Sequence, residues 1–138
     1  MGDLYIVDVS LNLPTSVPEA VLTDLRWHLG LAGSVSDDMY GDEFPVWSAR
    51  GPAKRIGGVR VGDLLEGPQG WYLTVRQEVH ADYLPDVEAL IGRLACHSTT
   101  HGLIGQTRHF EDHVPEMLIN HAGTVTKVPL RYSKAEPS

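Results

Sequence analysis

The chain has 138 residues, 42% of them hydrophobic, which supplies one continuous core and sets one domain over residues 1–132 as the expectation, with 133–138 a flexible tail. A net charge of -7 repels a phosphate backbone and excludes general nucleic-acid binding. The single cysteine, Cys96, forms no internal disulfide, so a stapled secreted module is excluded and a reducing, cytoplasmic setting is expected.

The opening Met1 to Ile6 carries no basic leader, and Asp8, Ser10 and Asn12 interrupt the apolar run that follows, which argues against a signal peptide or a membrane span. Val7, Val9, Leu11 and Leu13 alternate with those polar residues, the period of a strand buried on one side. Pro14 ends it. Ser16-Val17-Pro18-Glu19 then reads as a capping box with Pro18 in the first helical turn. The helix that follows sets Val21, Leu22, Leu25 and Leu29 on one stripe and stops at Gly30 or Gly33. Trp27 lies off this stripe and predicts a contact with another chain or with the loop that follows.

Residues 31–55 read as a long loop or insert, acidic through Asp37, Asp38, Asp42 and Glu43, with a short strand around Phe44 to Ala49. Arg50, Lys54, Arg55 and Arg60 make a small basic cluster beside Gly57-Gly58, enough to neutralise one small anion. Val59, Val61 and Leu65 lead to the turn Gly67-Pro68-Gln69-Gly70, and Trp71, Leu73, Val75 and Val79 lead away from it, which predicts a hairpin. Asp82 is placed to cap a second helix with Pro85 in its first turn and Leu84, Val87, Ile91, Leu94 and Ala95 as its stripe. Leu103 to Asp112 reads as a strand, Val114 to Ala122 as a short helix ended by Gly123, and Thr124 to Tyr132 as a last strand.

The order of strand, helix, hairpin, helix and strand from Leu4 to about Asp112 resembles the ferredoxin-like βαββαβ fold with its helices on one face. The small C-terminal helix and strand are an addition to it. More narrowly, the order is similar to the dimeric α+β-barrel superfamily, in which two such sheets face each other. The resemblance is one of topology. It implies a homodimer and a small-molecule enzyme working above the sheet: a cofactor-free oxygenase, isomerase, cyclase or decarboxylase, or a haem-using relative. The sequence itself requires no cofactor, and haem or metal stays open.

If the apolar residues of the first strand and of the hairpin's second strand lie under the helices, the opposite face carries Asp8, Asn12, Tyr72, Arg76, Glu78 and His80 together. One reading makes this a solvated face with Arg76 paired to Asp8 or Glu78. The other covers it with a second subunit, so that His80 serves as a general base, Arg76 holds an anionic or enolate oxygen and Tyr72 donates a hydrogen bond. Asp8 and Glu78 complete the ionisable set. Arg108 or His109 from the later strand also reach this region, and alternation does not say which points inward. His97 and His101, four apart at a helix end, are candidate metal ligands, although histidines also suit a helix C-terminus through its dipole. Two further readings remain: a module that binds a small anion through the basic cluster without turning it over, and a structural protein that docks on another chain.

Overall fold

In the computed structural model, which describes residues 3–31 and 45–130, strand β1 (Leu4–Leu13) buries Val7, Val9, Leu11 and Leu13 and turns Ser10 and Asn12 to water. Helix α1 (Glu19–Leu29) follows, and Gly30 terminates it: the Gly30 N–H reaches the Trp27 carbonyl and the Leu31 N–H reaches that of Arg26. The capping box does not form. The helix begins at Glu19 with Pro18 at the cap position, so Ser16 lies ahead of the cap and Glu19 pairs instead with Arg26 at 3.2 Å.

The stretch ahead of the hairpin differs from expectation. Residues 45–50 form no strand, and pairing is confined to β2 (Gly51–Pro52) against β3 (Val59–Gly67). Trp47 explains this, since its fully buried ring anchors the segment in the core and its backbone N–H donates to the His28 carbonyl, leaving no extended run free to pair. The acidic stretch of the long loop and the C-terminal tail lie outside the described residues. Strand β4 (Gly70–His80) returns from β3 through Pro68-Gln69 as the turn residues predict.

Helix α2 (Leu84–His97) is entered through a 3-10 turn, Ala81–Tyr83, capped by His80 Nδ1 accepting from the Asp82 N–H; Asp82 does not cap the helix itself. Val87, Leu90, Ile91, Leu94 and Ala95 form its buried stripe, and burial of a leucine such as Leu90 contributes roughly 1.5–3 kcal/mol. Beyond it come β5 (Gly102–His109), β6 (Glu116–His121) and β7 (Thr124–Pro129).

The helix expected over Val114 to Ala122 is therefore strand β6. Gly123 is not a helix stop but half of a two-residue hairpin turn, Ala122-Gly123, both with positive φ, and Asn120 Oδ1 accepts from the Gly123 N–H. Met117, Leu118 and Ile119 satisfy either periodicity over so short a run. Pairing with β5 and β7 decides it.

The seven strands lie in the order β2-β3-β4-β1-β5-β6-β7, every neighbouring pair antiparallel. Both helices bury their stripes in one cluster with Val9, Leu11, Leu73, Val75, Ile104 and Leu118. The architecture is α+β, with the core on one side of the sheet. Among the described residues no helix is long and apolar enough to cross a membrane.

Candidate functional site

The strand register assigns each residue its face. Asp8 is opposite Arg76 and Gln106, Asn12 opposite Tyr72, Ile6 opposite Glu78 and Arg108, and Leu4 opposite His80. Partners across an antiparallel pair share a face, so Asp8, Asn12, Tyr72, Arg76, Glu78 and Arg108 do lie on the side away from the core. His109 is opposite Tyr5 and lies on the other side, its ring edge-on to Tyr5 at 5.3 Å and its Nε2 3.4 Å from Asp3.

The shared face is too long to be a single site. Tyr72 and His80 are eight residues apart on one strand, about 26 Å. Three groups separate along it. At the hairpin end, Asn12 is exposed and its backbone carbonyl receives the Ser98 hydroxyl and the Thr99 N–H, while the Tyr72 ring lies across Gly67. At the far end, His80 is occupied by its capping bond and by Asp82, 3.5 Å away. Only the middle group converges.

There, Asp8 Oδ1 lies 3.8 Å from Arg76 Nε, and Gln106 Nε2 donates to Asp8 Oδ2 at 3.4 Å. Each side chain of the ion pair is about one-third exposed, 34% for Asp8 and 32% for Arg76, so the attraction is only partly screened. Beside them is a depression of about 330 Å³ over β1, β5 and β6, lined by Asp8, Ser10, Leu103, Gly105, Gln106 and Met117. A register shift between Leu103 and Gly105 shapes it. Gly105 is needed for the close approach of β5 to β1, because a Cβ there would land on the Asp8 carbonyl oxygen. Gln106 and Met117 were not legible as site residues: the face of Gln106 follows from its pairing with Asp8, and Met117 sits in the segment whose periodicity reads equally as a helix.

Glu78 and Arg76 spend most of their polar atoms on the chain itself. The Glu78 carboxylate accepts the backbone N–H groups of Lys54 (3.3 Å), Arg55 (2.7 Å) and Ile56 (3.2 Å). Burial opposes its charge, but the three amides and the nearby Arg60 outweigh burial and hold the carboxyl below the usual glutamate range. Arg76 donates to the carbonyls of Gly57 (2.9 Å) and Val59 (3.5 Å) and packs against Gly58. Together they pin residues 54–59 over one end of the face. The anion that the Lys54 to Gly58 loop receives is therefore Glu78.

The rest of the basic cluster is likewise engaged. Arg50 donates to the carbonyls of Leu29 (2.8 Å) and Gly62 (2.6 Å), Arg60 to that of Arg50 (2.9 Å), and the Arg55 guanidinium lies 5.7 Å from the Phe110 ring. Arg108 closes the turn after β5 by donating to the Asp112 carbonyl at 2.6 Å. A cavity of about 240 Å³ lined by Val46, Ser48, Gln77, Val79, His80 and Tyr83 lies at the edge of β4 beyond β3. Its polar groups are satisfied internally: Gln77, almost fully buried, donates to the Ala49 and Val61 carbonyls.

His97 is the last residue of α2 and Ser98 is already extended, so His97 and His101 do not share a helical face. Among the described residues no three His, Cys, Asp or Glu side chains are grouped to hold a metal ion. Cys96 is exposed with its Sγ 3.6 Å from the Gly123 carbonyl, and Trp27, half-buried, meets the ring of His28 edge-on at 4.8 Å. No family model, curated protein or solved structure matches this chain. The class that fold and site define is accordingly an α+β protein with both described helices on one side of its sheet and a carboxylate-centred depression on the other.

Proposed function

We propose that this chain is a small-molecule enzyme of the ferredoxin-like, dimeric α+β-barrel kind, acting in a cavity that a second copy completes over the helix-free face, with Asp8 as the proton-transfer group. The order β3-β4-β1-β5 with both helices on one side supports the ferredoxin-like part of this reading, and the β6-β7 hairpin widens the sheet beyond it.

The observation that carries the proposal is where the exposed hydrophobic side chains lie. Val59 (54% exposed), Leu65 (65%), Leu103 (56%) and Val128 (46%) all occupy strand positions in register with the outward set. A sheet face meant for water carries polar residues at such positions, and these four, spread over β3, β5 and β7, support a second chain lying across the face. A covering subunit would enclose Asp8 with the substrate, and a carboxylate held there suits reactions open to proton transfer alone, isomerisation or cyclisation.

Light scattering tests the assembly. The chain is expected to be a dimer at micromolar concentration, and Leu65→Asp or Leu103→Asp is expected to yield a folded monomer. A wild-type monomer with unchanged mass in both variants would overturn the reading. A ligand that binds the face but is recovered chemically unchanged would reduce the enzyme to a binding module.

A further inference from the structure

We infer that the depression takes a molecule with an apolar body and a hydrogen-bond-donating head, a hydroxyl or an ammonium, and rejects anions. This rests on reading the depression as the small-molecule site, and it follows from which atoms are left over once the internal bonds are drawn.

The apolar wall is Leu103 and Met117, with the buried Ile104 at its base. The polar end is Asp8, Ser10 and Gln106. Gln106 spends one Nε2 hydrogen on Asp8, which leaves its carbonyl oxygen and one N–H for a ligand. An ionised carboxylate only accepts. The polar end thus presents mainly acceptors, with the Asp8 charge dominant, and its donors are limited to the second Gln106 N–H and the Ser10 hydroxyl.

Arg76 does not reverse this polarity. Its NH1 is committed to the Gly57 and Val59 carbonyls, its guanidinium packs on Gly58, and no atom of it lines the depression. Its Nε faces Asp8 at 3.8 Å and offsets part of that charge, so a neutral hydroxyl is accommodated as well as an ammonium. A carboxylate or phosphate would meet the Asp8 charge, and among the described residues no Lys or Arg lines the depression. The volume, about 330 Å³, lies at the small end of the roughly 300–1,000 Å³ of ligand pockets and limits the body to a short chain or one ring.

The test uses the intact chain and probes that share one hydrocarbon body: n-hexanol, n-hexylammonium and n-hexanoate, titrated to millimolar concentration while the methyl resonances of Met117 and Leu103 are followed by NMR. The expected result is saturable shifts with the alcohol and the ammonium, and binding of hexanoate weaker by about tenfold, or 1.4 kcal/mol. Asp8→Asn is expected to remove most of that discrimination while the backbone spectrum stays that of the folded protein. Hexanoate binding as tightly as the other two overturns the inference and leaves the small-molecule site standing. No methyl shift with any probe overturns both. A preference for ammonium over alcohol, or the reverse, identifies the head group.

Discussion

The backbone N–H of Arg55 donates to a Glu78 carboxylate oxygen at 2.7 Å, and through this bond a loop rich in glycine and positive charge is fastened to the sheet. Lys54 and Ile56 add their amides to the same side chain. A carboxylate that accepts several backbone amides is a latch in which the charge itself supplies the strength.

Glu78→Gln is expected to cost about 1–2 kcal/mol at neutral pH, a figure kept low because the group is only partly shielded from water. The folded-state pKa lies below the ordinary value of 4.5, so the latch contributes fully above that value and its contribution is lost as pH falls through the folded pKa. Denaturant titrations of wild type and variant at neutral pH and below pH 4 should therefore show a stability difference that shrinks with acid. A difference that is constant with pH would mean that the carboxylate charge is not what holds the loop.

Ala122 has φ of 51° at the first position of the β6-β7 turn, a region costly for alanine and natural for asparagine. Asn-Gly is the favoured pair for such turns. Ala122→Asn is expected to stabilise the protein by about 0.5–1 kcal/mol, read as a rise in thermal midpoint.

Asp24 joins two helices: one oxygen lies 3.1 Å from Arg93 of α2 and the other 3.6 Å from Nε2 of the fully buried His28. His28 Nδ1 in turn accepts from the Val46 N–H. Asp24→Ala is expected to cost about 2–3 kcal/mol, since it strips a partly buried pair of its anion. Denaturant midpoints give this directly, and a loss under about 1 kcal/mol would show the cluster to be solvated.

Gly105→Ala forces β5 away from β1 at the Asp8 carbonyl. Backbone against a new Cβ yields little, so a loss of roughly 3 kcal/mol or more is expected, with the methyl resonances of Leu103 and Met117 displaced because the depression is deformed. A variant with wild-type stability would show that the strands have room to separate there.

Much of the fold was legible because it depends on short-range periodicity. The β1 alternation, the α1 and α2 stripes, the Pro68-Gln69 hairpin and Asp8 and Arg76 on one face all follow from side-chain spacing within single elements. Segment 114–122 was not legible, since its preference is settled by strand partners on both sides, and a Gly123 that ends a helix looks the same in sequence as one that turns a hairpin.

The amino-acid sequence by itself determined which residues can be buried, and so that the sheet would have one apolar face and one polar face. Only the tertiary structure decided which polar groups are spent. Glu78, Arg50, Arg60 and Arg108 look like site residues in one dimension and satisfy backbone groups in three. Their partners lie many residues away, and hydrogen-bond satisfaction is a property of the closed fold. Asp8, with Gln106 on one oxygen and Arg76 facing the other, lies instead at an open depression that the spacing of residues did not reveal.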